Sequence, residues 1–359
     1  MLIYILFMFL NVSLISLSES DIIAKVCKKV NISHTLFIKL CLVISCLMSV
    51  TFIAMRDVGV ADDTDSYYQF FMGPYSGFAE YGFYLLTKFI RFFTNNFHVY
   101  LFITSMIAIT PIYFLISKVK NNKWVYIFLY HTFILYIFNF AIIRQCIAMG
   151  IVALGIYFLG FINASRIKRV VLYVFLILCA TMFHKIALFM LPVFLFDYIN
   201  LDKRKLIIIV ITTLLLVIFK NHITNFVFTI IIPNKAIYLN ESTGIENFGF
   251  IPFLVFTALS LLTIYLKNNK VNVENEQLLI KLNYYFMYIN IFFFWFPAYG
   301  RVLQFGYLNA TFLLGSFLNL NILIRSKAKY FIVIFMIIFY IYMLTRNPYH
   351  VIPYVLTDF

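Results

Sequence analysis

Charge is what this chain lacks. Only 12% of its 359 residues are Asp, Glu, Lys or Arg, about half of the roughly 25% found in soluble domains. That scarcity excludes a chain solvated on all sides. Hydrophobic residues make up 64% and aromatics 20%, which leaves an all-α, polytopic membrane protein. The net charge of +14 does not indicate nucleic-acid binding, because the basic residues stand in short clusters between apolar runs. Cysteine is also sparse. Cys27, Cys41, Cys46, Cys146 and Cys179 form no CxxC and no Cys/His pattern, which excludes a disulfide framework and a zinc site. The opening stretch MLIYILFMFLNVSLISLSES has no basic n-region, so it reads as a first transmembrane helix and not a cleaved signal peptide. No linker, low-complexity tract or internal repeat divides the chain, so 1–359 reads as one polytopic domain.

What is there is a succession of apolar runs of about 15–22 residues, the length that crosses a bilayer as helix. They predict spans near 2–18, 36–55, 98–117, 124–142, 145–162, 168–183, 185–199, 205–219, 249–266, 279–297, 302–324 and 329–345. The expected count is about ten to twelve, because CATMFHKIALFMLPVF puts His184 and Lys185 between two short helices. The stretch 222–233 is too short to span alone and is expected to be re-entrant or interfacial.

Orientation follows from the basic residues. With the N-terminus outside, 19 of the 28 Lys and Arg fall in inner loops, at least three in each. The positive-inside rule selects this arrangement. A first loop at 56–97 and a second at about 221–248 then face outward. Five of the fourteen acids lie in the first: Asp57, Asp62, Asp63, Asp65 and Glu80. Within it, Glu80 to Asn95 spaces Phe83, Leu86, Ile90 and Phe93 along one helical face, with Lys88 and Arg91 off it. That pattern predicts an amphipathic helix on the outer membrane surface, roofing a site.

Ionisable groups near the outer boundary are the candidates for chemistry, since burying charge in a membrane is costly. Arg144 and Gln145 stand at the mouth of the span 145–162; an arginine fork suits phosphate oxygens, but it also snorkels as a plain anchor. His184 and Lys185 form a polar turn; a histidine can take a hydroxyl proton near neutral pH, or simply hydrogen-bond. Arg301 follows a Pro/Gly break, either lining a cavity or anchoring a loop. Asp62, Asp63 and Asp65 are close enough to hold sugar hydroxyls, to supply a base or to bind a divalent cation; the bland reading is a solvated loop. Glu80 opens the roofing helix, where a carboxylate also suits the helix dipole.

The order of motifs is informative: DTDSYYQFF, EYGFYLL, IRQCIAMGIVALGIYFL, FHKIALFMLPVF and a late GRVLQFGYL. Over roughly residues 50–310 this resembles the EpsG-like group of bacterial Wzy-type polysaccharide polymerases. One departure is Ile186, where that group usually carries a serine. The resemblance implies an inner-membrane glycosyltransferase with a periplasmic active face and no cofactor. It would move a growing glycan from an undecaprenyl diphosphate carrier to the non-reducing end of a new lipid-linked unit, beside a flippase and a chain-length regulator. In that reading Arg144 and Arg301 hold diphosphates, and His184, Asp62, Asp63 and Glu80 compete as base. Tyr67, Tyr68 and Tyr75 offer surfaces to sugars. One alternative is a transferase using a polyprenyl-monophosphate sugar with Asp62 and Asp63 on a metal. Another is a glycan flippase, against which the nearly charge-free span interiors argue.

Overall fold

A computed structural model describes residues 1–73, 80–196, 218–219, 222, 250–268, 276–293, 299–320 and 327–356. Tyr75, the loop 234–248, and nearly all of the expected segments 205–219 and 222–233 lie outside the described residues. Regular structure among those described is helical, with a single isolated antiparallel bridge between Arg56 and Leu356.

The chain starts with α1 (Leu2–Ser18), α2 (Asp21–Lys29) and α3 (His34–Ala54). Two short helices follow, α4 (Thr64–Met72) and α5 (Tyr81–Phe93). Then come α6 (Phe97–Lys118), α7 (Lys123–Thr132), α8 (Leu135–Ala141), α9 (Ile143–Gly160) and α10 (Arg166–Thr181). A 3-10 turn (Lys185–Met190) leads to α11 (Val193–Phe196), α12 (Phe250–Asn268), α13 (Gln277–Phe293), α14 (Tyr299–Leu318) and α15 (Lys327–Arg346). Residues Met1–Leu191 with Gly315–Phe359 form one compact unit, and Pro192–Leu314 a second.

Among the described residues, helices α3, α6, α9 and α15 are long and apolar enough to cross a membrane, and the bent pairs α1–α2 (56°) and α7–α8 (50°) bring the total there to as many as six. This is an all-α polytopic membrane protein. Of the other expected spans, 168–183 and 279–297 correspond to the shorter helices α10 and α13, 302–324 to the less apolar α14 and 249–266 to the apolar α12, while 205–219 lies almost wholly outside the described residues. Where 185–199 was expected as a span, the described part is a 3-10 turn and a single turn of helix. The expected span 124–142 is broken. Ile134 sits at φ 55°, a left-handed conformation that is costly for a β-branched residue.

Small residues let the first unit pack. A Cβ on Gly150 of α9 would lie 2.7 Å from the Ala108 carbonyl oxygen of α6, and one on Gly155 would lie 3.3 Å from the Tyr173 ring of α10. Close backbone approach through glycine is a general means of joining membrane helices. Buried polar groups add cross-links. Ser45 Oγ donates to Asn11 Oδ1 at 2.6 Å, Tyr113 OH lies 3.0 Å from both Ser45 and Ser49, and Tyr136 OH donates to the Ser49 carbonyl.

The contacts separate into two ends. At one, Lys123 pairs with Glu19 (3.6 Å) and Lys329 lies over the Trp124 ring. At the other, Tyr4 OH donates to the Val351 carbonyl and His98 bonds the Ala54 carbonyl. The loop 56–73, helix α5 and the tail after α15 gather at this second end.

The second unit is held by its own polar contacts. Asn283 Nδ2 of α13 donates to Ser260 Oγ and to the Phe256 carbonyl of α12, and Asn309 Nδ2 of α14 donates to the Leu279 carbonyl. Gly306 of α14 meets the rings of Phe256 and Phe286 where a Cβ would stand.

A candidate active site at one end of the first unit

The break between α8 and α9 puts a charged residue at the head of α9, the most enclosed of the four unbroken membrane-length helices. Ile142 leaves helical geometry (φ −113°, ψ 56°) and α9 restarts at Ile143. Arg144 therefore lies in the first turn. Its Nη1 meets Glu80 Oε2 at 2.7 Å. Glu80 occupies the N-cap of α5 yet makes no side-chain cap. Its carboxylate goes to Arg144 instead of to the backbone N–H groups of α5. Arg144 also hydrogen-bonds the Tyr67 hydroxyl from α4. Burial pushes that hydroxyl up to about 12, against the pull of Arg144, so Tyr67 stays neutral and protonated at physiological pH.

The His184 turn docks on the same helix start. Gly82 N–H donates to the Met182 carbonyl at 2.8 Å, and a Cβ on Gly82 would lie 2.8 Å from both the Cβ and the carbonyl oxygen of Met182. EYG thus joins Glu80 to Arg144 and, two residues on, α5 to the segment preceding His184. His184 itself is buried and caps the 3-10 turn, its Nδ1 accepting from Ile186 N–H at 3.4 Å. An accepting Nδ1 puts the ring proton on Nε2. In that tautomer His184 presents its Nε2–H as a donor. Lys185 is exposed beside it, and Gln145 is buried in α9.

Arg56, which sequence reasoning did not single out, organises this end. It is fully buried and donates to the carbonyls of Ile53 and Phe140, each at 2.8 Å, and to Thr64 Oγ1 at 3.3 Å. It joins the end of α3 and the start of α4 to the carbonyl freed just before α9. Burial lowers it to about 10, opposed by surrounding tyrosines, and it remains a cation at neutral pH. A freed carbonyl at membrane depth needs such a donor. Arg91, on α5, closes the other end of α4 through the Met72 and Gly73 carbonyls.

The acidic residues of the loop are separately engaged. Asp57 Oδ1 accepts from Gly59 N–H, Asp65 Oδ2 accepts from Gln69 Nε2 at 2.7 Å, and Asp62 Oδ1 meets His350 Nδ1 at 2.5 Å. Asp63 is half-buried at the head of α4, with its charge acting on Tyr67. Among the described residues no three His, Cys, Asp or Glu side chains converge as a cation cage would require. Tyr67 is buried edge-on against Phe83 and Tyr68 edge-on against Phe97. Tyr67 is therefore packed beneath the loop, correcting the expectation of a sugar-facing ring.

Helix α5 is amphipathic, and the expected face holds at Phe83 and Ile90, which are buried, and at Leu86, which is half-buried, but not at Phe93, which is exposed. Gly82, Phe83, Thr87 and Ile90 are buried, while Leu85, Phe89, Phe92 and Phe93 are exposed. Phe93 is the last residue of the helix and lies exposed. Arg301 belongs to the second unit, exposed in the first turn of α14.

No curated protein and no solved structure matches this chain. The EpsG family model matches it over residues 39–356, a stretch that takes in the acidic loop, the Glu80–Arg144 pair and the His184 turn, and the chain belongs to the EpsG family, membrane proteins of the polymerase type in polysaccharide biosynthesis.

Proposed function

We propose that the protein is a glycosyltransferase that polymerises undecaprenyl-diphosphate-linked oligosaccharide units in O-antigen, capsule or exopolysaccharide assembly. It works in the bacterial inner membrane, and the end carrying Glu80 and Arg144 faces the periplasm. The asymmetry of the 28 basic residues supports that orientation. The observation that carries the reading is the Glu80–Arg144–Tyr67 cluster at the mouth of a membrane helix. A guanidinium in that place meets a lipid-borne diphosphate at the depth where its carrier leaves the bilayer. Arg144 stabilises the leaving diphosphate as charge develops, through fixed N–H donors in a partly dehydrated setting.

Glu80 holds the guanidinium aligned before substrate arrives. A diphosphate oxygen competes with the Glu80 carboxylate for the same fork, so binding frees Glu80 toward the sugar. His184, as a ring donor, suits an anionic oxygen or a sugar oxygen. Arg301 is assigned the diphosphate of the other carrier on the chemistry of its side chain alone. Asp63 and Asp65 are assigned to sugar hydroxyls, for which exposed or half-exposed carboxylates are good acceptors.

The test is direct. Purified protein in proteoliposomes, given one lipid-linked repeat unit, should yield a ladder of multiples. Products no longer than one unit, under conditions where the protein is folded, would sink the polymerase reading.

A further inference from the structure

The tail after α15 returns to the acidic loop, and two side chains meet there that neither the family match nor the motifs connect. His350 Nδ1 lies 2.5 Å from Asp62 Oδ1. A carboxylate accepts, so Nδ1 carries the proton and Nε2 presents a lone pair. The His350 side chain is 77% exposed and that of Asp62 45%. Nε2 has no hydrogen-bond partner among the described residues.

We propose that Asp62 and His350 form the dyad that accepts the proton of the acceptor hydroxyl, with His350 as the catalytic base and Asp62 as the residue that positions it. This rests on the polymerase reading above. The acceptor O–H bond breaks and its proton goes to Nε2. The oxygen forms a bond to the donor's anomeric carbon. The bond from that carbon to the carrier's diphosphate oxygen breaks, and its electron pair leaves with the diphosphate.

Three observations separate a working dyad from a latch on the tail. First, the tail is already secured. Asp57 N–H donates to Val355, Ala61 N–H to His350 and Asp62 N–H to Tyr349, while Tyr4 and Tyr354 hydroxyls donate to the Val351 and Phe52 carbonyls. An exposed ion pair adds little to such a network. Second, the backbone is strained where the two side chains meet. Ala61 (φ 73°) and His350 (φ 49°) are both left-handed, and each is one end of the Ala61–His350 backbone hydrogen bond. Such strain in non-glycine residues is kept where the placement of a side chain matters. Third, the dyad stands at the same end as Arg144. Tyr349 packs edge-on to Phe138 of α8, and Asp62 lies just ahead of α4, which carries Tyr67 to Arg144. His184, with its Nδ1 already accepting, leaves the role of base to His350.

The experiment uses the full chain in proteoliposomes, with a purified lipid-linked repeat unit. His350→Ala and His350→Gln are each expected to lower turnover about 10²–10⁴-fold, the usual contribution of a general base, with KM for the lipid-linked unit unchanged. Added imidazole should restore part of the turnover of His350→Ala and none to Arg144→Ala. Asp62→Asn should lower turnover less than His350→Ala does. Turnover of His350→Ala within twofold of wild type overturns the dyad and leaves the polymerase reading standing. Loss of turnover without imidazole rescue, or loss of folded protein in both His350 variants, assigns the pair to the tail and also overturns it. A wild-type protein that makes no polymer removes both readings together.

Discussion

Glu80 and Arg144 are 64 positions apart in the chain, and their side chains meet at 2.7 Å. One stands at the N-cap of α5 and the other in the first turn of α9, so a single ion pair ties the start of one helix to the start of the other. Because the pair is mostly buried, either charge left alone is poorly solvated. Arg144→Lys keeps the charge and loses the fork. It is expected to lower polymer formation about 10²-fold or more, the usual loss when one preorganised donor is removed. Polymer-ladder assays at matched protein levels will measure it. A Lys variant with wild-type ladders would make Arg144 an anchor.

Glu80→Gln keeps the shape and can still accept a hydrogen bond, but no longer offsets the guanidinium. The expected result is a folded protein with impaired turnover. Glu80→Ala should also lose thermal stability in detergent. Equal turnover in Glu80→Gln and wild type would limit Glu80 to holding Arg144 in place.

Gly82→Ala tests the dock between α5 and the His184 turn. The added carbon has backbone and a Cβ in its way at 2.8 Å. Overpacking of this kind costs about 1–3 kcal/mol. The variant should insert normally, melt at lower temperature and polymerise poorly. Normal melting together with normal polymer would show that the dock gives way without consequence.

Arg56→Met removes the hydrogen bonds to the Ile53 and Phe140 carbonyls and to Thr64, and leaves the Phe140 carbonyl with the Thr64 hydroxyl as a donor. A buried acceptor deprived of its donor costs about 1–3 kcal/mol, so this variant should accumulate less folded protein than any loop-acid variant. Size-exclusion profiles in detergent will show it. A Met variant as monodisperse and heat-stable as wild type would deny Arg56 its organising role.

Orientation is open to thiol labelling. Ser66, exposed on α4, and Ser165, exposed just before α10, lie on opposite sides of the proposed topology. In cells with a permeabilised outer membrane, a cysteine at Ser66 should react with an impermeant reagent and one at Ser165 only after lysis. The reverse pattern would invert the protein.

Much of the fold was legible in the runs themselves. Leu2–Ser18 matches the first expected span, and the ends of α3, α6, α9 and α15 fall within a few residues of expectation. A membrane helix needs a long apolar run, and such a run shows in one dimension. The break at Phe133–Ile134 did not show, because HTFILYIFNFA contains neither glycine nor proline. Phe133 and Ile134 are both buried, so tertiary packing and not local propensity sustains it. Arg144, Glu80 and His184 were each found by the same signal, an ionisable group near an apolar boundary. Arg56 and His350 carried that signal too and were passed over, since nothing local distinguishes an anchor from an organiser.

The sequence by itself determined the class, the all-helical membrane architecture and the family. Hydrophobic run length and charge asymmetry are properties of the chain that require no contact to be known. Only the tertiary structure decided which charges meet. Glu80 reaches Arg144 because α8 breaks and Arg56 holds the break; Asp62 reaches His350 because the tail folds back 288 residues later. Short-range interactions such as ion pairs and hydrogen bonds act over a few ångströms, and no pattern along the chain specifies which distant residues will come within that range.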